Sequence, residues 1–192
     1  QVEELLRAPR LSGDYGALQN ALNDWLGESA QLKYPMQGDL LSPFLLQDLD
    51  GDGEQDAAVL YTTAQSSNVC IAFLQRDAEN RWKVCQSIEG LADTVDNVRL
   101  AQLQDGSSMQ MVVGYLASQG DSYLAVYSYE NGQVSAILEQ SYEQYLVEDI
   151  TGHQWSLNRY ENDLLTAGCH SITNVNVMRC LTLTDAAIRN AL

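Results

Sequence analysis

The sequence predicts a mainly β chain of antiparallel, blade-like repeats preceded by an N-terminal helix. Three observations predict it. From residue 43 onward, short apolar segments alternate with Gly-, Asn- and Asp-containing turns. Those segments recur at a spacing near fifty residues, about the length of one four-stranded unit. Only the section before them, residues 1–40, shows apolar side chains at helical spacing.

In that section Leu18, Ala21, Leu22, Trp25 and Leu26 form one apolar stripe. Ser12 or Asp14 is the expected N-cap, and Gly27 the expected stop. The stripe implies a helix docked on the β core. A loop through Tyr34-Pro35-Met36-Gln37-Gly38 then leads into the first strand. Strands are expected at 43–48, 56–63, 68–76, 81–88, 97–103, 109–117, 122–129 and 132–139. Turns at Asp77–Asn80, Gln104–Ser107, Gln119–Asp121 and Glu130–Gly132 separate them, and Asn131-Gly132 is a two-residue hairpin signal.

The repeat is visible residue by residue. Leu46, Leu49, Val59 and Tyr61 of the first copy match Leu100, Leu103, Val113 and Tyr115 of the second. Val69–Leu74 answers Tyr123–Ser128, and a third copy opens at Tyr145. The expected organisation is therefore a helical segment at 1–40, β repeats over 41–152 (44–96, 97–144 and a third from 145), and an atypical tail at 153–192. The tail offers a strand at 174–183 and a short helix at 185–192. Either it completes the third repeat or it is an altered C-terminus.

Residues 48–56 read Asp-Leu-Asp-Gly-Asp-Gly-Glu-Gln-Asp, with aspartates at relative positions 1, 3, 5 and 9 and a glycine at 6. Four carboxylates this close repel one another unless a cation neutralises them. Alternating carboxylates followed by a sharp turn suit Ca2+, which takes six to eight oxygens. An EF-hand is disfavoured. Position 12 is Val59 rather than Glu, and the loop is flanked by strand-like runs, not helices. In the second copy the loop has become Gln104–Gln110, stripped of nearly all its carboxylates, and the third keeps only Asp149 and Gly152. One complete site is expected.

Composition narrows the function classes. With 26 acids against 10 bases the net charge is −16, which argues against nucleic acid and anionic membrane surfaces. The acidity is confined to residues 1–150, and 151–192 is neutral. No apolar run approaches the ~20 residues of a transmembrane helix, and Gln1–Arg7 has no signal-peptide pattern. Cys70 and Cys85 fall on consecutive strands, with the same face expected for both; free buried thiols are preferred there over a bridge. Cys169 and Cys180 with His170 lack a zinc spacing. Both histidines, His153 and His170, lie in the tail, and no nucleophile elbow, His-Glu-x-x-His helix or phosphate loop exists. No catalytic residue is assigned. Of the ten tyrosines most are expected in the core, with a tyrosine-lined binding face as the alternative.

The strand–loop–strand pattern recurring once per unit, with the acidic loop complete in the first, resembles the FG-GAP/VCBS repeats of integrin-α-like β-propellers. Residues 1–152 look like VCBS-repeat lipoproteins of gut Firmicutes. The likeness is specific over 44–63, fair over 97–152 and weak in the helical leader. It implies Ca2+ held by Asp48, Asp50, Asp52 and Asp56, with Glu54 offering its backbone carbonyl. Because a closed propeller needs roughly four to eight blades, a partial or open propeller-like array is implied. The expected function is a non-catalytic, calcium-stabilised module of an exported cell-surface protein that binds a protein or glycan, with a lipid tether upstream of residue 1. The alternatives are a carboxylate- or calcium-dependent hydrolase or lyase, and a structural envelope spacer.

Overall fold

The structure, a computed structural model, describes residues 13–103 and 108–142 in full, and the backbone of 144–150, 164–167 and 175–181. Helix α1 (Gly13–Leu26) opens it. Leu18 and Leu22 lie one turn apart and are fully buried, as an amphipathic stripe requires. The helix ends where Gly27 takes φ 71 and donates its N–H to the Asn23 carbonyl at 2.9 Å, a left-handed stop that glycine adopts without strain. Asp14 is not the cap. It sits within the first turn and pairs with Arg76 at 3.2 Å, while Ser12 lies outside the described residues.

The first sheet holds β1 (Gln31–Leu32), β2 (Phe44–Gln47), β3 (Asp56–Thr62), β4 (Cys70–Arg76) and β5 (Trp82–Glu89). β1 and β2 lie end to end along one edge of β3: Gln31 faces Thr62, and Phe44 faces Val59. β1 falls between the expected helix stop at Gly27 and the expected loop at 34–38, where no strand was expected. The second sheet is a meander of β6 (Thr94–Ala101), β7 (Gln110–Leu116), β8 (Ser122–Glu130) and β9 (Gln133–Ser141). The backbone of a third sheet places β12 (Val175–Leu181) between β10 (Gln144–Ile150) and β11 (Leu164–Ala167). The strand expected at 174–183 is thus β12, and the helix expected at 185–192 lies outside the described residues. Every pairing is antiparallel, and no sheet closes on itself among the described residues. The fold is mainly β, with open sheets and an N-terminal helix.

Period-2 alternation places the core. On β3 and β4, Ala58, Leu60, Ile71 and Phe73 pack with Met111, Val113, Tyr115, Tyr127 and Tyr129 of the second sheet. The intervening Ala57, Val59, Tyr61, Ala72 and Leu74 pack with Leu18 and Leu22 of α1. The first sheet is therefore covered on both faces, by the helix and by the second sheet. Tyr61, Tyr115, Tyr127 and Tyr129 are core residues, so the tyrosines of β7 and β8 serve packing. No helix of the described residues is long and apolar enough to cross a membrane.

Cys70 and Cys85 are free, half-buried and exposed respectively. The shared face expected for them is not formed. A bulge shifts the β4–β5 register between Phe73 and Leu74, leaving Cys85 between Val84 and Gln86. Cys70 packs with the cluster under α1, whereas Cys85 lies against Gly132 and Gln75 on the opposite side. An inserted residue reverses the alternation that a bulge-free register assumes. Cys169, His153 and His170 lie outside the described residues, as does the Cys180 side chain.

Candidate metal centre

The loop between β2 and β3 folds around its own carboxylates. Asp48 Oδ1 accepts the Gly51 N–H at 2.7 Å and Oδ2 the Gly53 N–H at 3.0 Å. Asp50 Oδ1 accepts the Asp52 N–H at 3.2 Å, and Asp52 Oδ1 the Glu54 N–H at 2.7 Å. Such side-chain-to-backbone turns are why Asp is favoured in tight loops. Gly51 (φ 80) and Gly53 (φ 92) take left-handed backbone between them, which residues with a Cβ adopt only at a cost. At the far end Asp56 opens β3 and is 2% exposed; its Oδ2 accepts the Leu49 N–H at 2.8 Å and closes the loop.

These bonds gather one carboxylate oxygen each from Asp48, Asp50 and Asp56 to within 4.8 Å of one another. Asp52, expected as a fourth carboxylate of the same shell, is not in that group and is exposed; Glu54, expected through its backbone carbonyl, has an exposed side chain. Burial pushes the Asp56 carboxyl above its ordinary range, against the pull of the Leu49 N–H. Burial also raises Asp50, and the charges of Asp52 and Asp48 add to it, while N–H groups of Asp52 and Asn131 pull the other way. A divalent cation beside Asp50 and Asp56 would favour their charged forms against that burial.

Two partners come from outside the loop. Gln75 of β4 donates from Nε2 to Asp50 Oδ2 at 3.2 Å, and the backbone N–H of Asn131, in the β8–β9 turn, also bonds Asp50. Asn131 (φ 52) and Gly132 (φ 76) both take positive φ, the turn that two-residue hairpins prefer. That turn carries an N–H of the second sheet to a carboxylate of the first. The Met109 N–H likewise bonds the Leu49 carbonyl at 2.9 Å. The loop thus lies at the seam between the two sheets. Sequence reading missed Gln75 and Asn131 as site residues; the hairpin signal at Asn131-Gly132 was legible, but its long-range target was not.

The second repeat supplies an internal comparison. Gln110 stands where the first repeat has Asp56, is fully buried, and accepts the Leu103 N–H through Oε1 at 2.7 Å. The loop-closing hydrogen bond survives and the charge is gone. The first-repeat carboxylate is therefore not needed for that bond. Its negative charge is the additional feature, and three oxygen donors from one short loop could hold a metal ion.

No family model, curated protein or solved structure matches the chain.

Proposed function

We propose that the chain is a non-catalytic, calcium-stabilised repeat module of an exported cell-surface protein, related in kind to FG-GAP/VCBS repeats, that binds a protein or glycan. The observation that carries the reading is the convergence of Asp48, Asp50 and Asp56 in one loop at the seam between two sheets. Those three residues would hold the ion, with the Asp52 carboxylate, the Glu54 carbonyl and water as further donors. Bound there, the ion supplies charge neutralisation; the protein supplies the turns that keep the carboxylates together. A structural role is favoured because these carboxylates also hold loop N–H groups in place. The net charge of −16 suits a setting rich in divalent cations.

A ligand that binds only the folded form stabilises it by mass action. Millimolar calcium should therefore raise the melting temperature, chelator should lower it, and Asp50→Ala should abolish the difference. Identical melts of the native protein with calcium and with chelator would remove the basis of the proposal.

A further inference from the structure

The Tyr129 hydroxyl is enclosed and without a hydrogen-bond partner, on a residue only 1% exposed. A buried phenol left unpaired is costly, and such an orphan points to a water or ion that completes it. Its position says which. The Tyr129 ring stacks on Phe73, centroids 5.3 Å apart and planes 19° apart. Two residues along from Phe73 on the same face of β4 is Gln75; two along from Tyr129 is Asn131. Both of those residues bond Asp50. The phenol therefore stands on the seam side of the first sheet, against the face of β4 from which Gln75 reaches Asp50. Burial raises its pKa first, the adjoining Cys85 thiol next, and the charges of Asp56 and Asp50 after it. The thiol lies beside the phenol but forms no bond of hydrogen-bond geometry with it.

We infer that Tyr129, contributed by the second sheet, is a positioning residue of the cation site of the first, its phenolic oxygen accepting a hydrogen bond from a cation-bound water beside Asp50 and Asp56. This rests on the calcium reading and adds to it. Water bound to a cation spends its lone pair on the ion and is left with two hydrogens to donate. The carboxylates can take one of them, and Tyr129 offers the buried acceptor for the other. The ion is then tied to the next repeat by a side chain as well as by the Asn131 N–H.

Tyr129→Phe deletes the hydroxyl and keeps the ring on Phe73. Calcium titration by calorimetry should show affinity about fivefold weaker than native, the weight of one net hydrogen bond. With chelator the variant should melt at or above the native protein, because the orphan is gone. Tyr127→Phe is the control: its hydroxyl pairs with Tyr115 at 3.1 Å, and its loss should leave calcium affinity unchanged. If Tyr129→Phe binds calcium as the native protein does, or lowers both melts equally, the inference is wrong and the calcium reading stands. Equal weakening by both variants also overturns it. Should the native protein itself bind no calcium, the reading and the inference fall together.

Discussion

At the scale of the residue, Asp56 and Gln110 separate two roles that one side chain combines. Asp56→Asn keeps an oxygen for the Leu49 N–H, as Gln110 does for Leu103, and removes the charge. Chelated Asp56→Asn should melt at or above the chelated native protein and should lose the calcium shift. Asp56→Ala instead strands the buried Leu49 N–H and should cost about 1–3 kcal/mol with or without calcium. Differential scanning of the two variants distinguishes them. The sign of the pH dependence follows from the raised carboxyls of Asp50 and Asp56. A folded-state pKa above the unfolded one means the native form binds the extra proton. The stability these two groups contribute without metal is present below the ordinary aspartate range and lost as pH rises through the folded values. Calcium needs them ionised, so the calcium-induced rise in melting temperature should shrink from about pH 7 toward about pH 4. A shift that stays constant over that range contradicts the assignment. The carboxylate loop was legible in the sequence because its converging aspartates are local, Asp48, Asp50 and Asp56 within one short loop. Gln75, Asn131 and Tyr129 were not, because only tertiary packing of β4 and β8 carries them to Asp50.

At the scale of the element, most strands were legible within a few residues because their apolar runs are bounded by turn chemistry. β3 and β7 are buried along nearly their whole length, which fits the continuous apolar runs Ala57–Tyr61 and Met111–Val113. β1 was illegible: two residues, Gln31 and Leu32, carry no period, and their extended form comes from pairing with Thr62 and Tyr61. The β5 bulge was illegible for a related reason, since an inserted residue leaves no mark in local composition. The helix was read as docking somewhere; its partner, the outer face of the first sheet, follows only from the structure. There α1 covers Val59, Tyr61, Leu74, Trp82 and Val84, which would otherwise face water. Leu22→Ala should therefore lower stability by about 2–5 kcal/mol, read as a lower urea midpoint with an unchanged slope. The calcium shift should persist, because Leu22 packs on the face of the first sheet away from the seam. Loss of that shift in Leu22→Ala would mean that the helix and the loop are one unit.

At the scale of the whole molecule, the cluster between the sheets decides how the protein unfolds. Leu60, Ile71 and Phe73 of the first sheet and Val113, Tyr115 and Tyr129 of the second bury one another. Neither sheet covers that face alone, and stacked repeats share stability across their interfaces. Unfolding of α1 and the two sheets should therefore be one cooperative event. In a Trp155→Phe background, Trp25 and Trp82, in the helix and at the start of β5, report the first sheet; far-ultraviolet circular dichroism reports all strands. In urea the two signals should trace coincident transitions, the usual test of two-state behaviour. Because the loop at 48–56 touches both sheets through Gln75, Asn131 and Met109, calcium bound there should move that single transition to higher urea without dividing it. If calcium delays the tryptophan signal and leaves the remaining strand signal where it was, the ion holds only its own loop, and the seam between repeats depends on apolar packing alone.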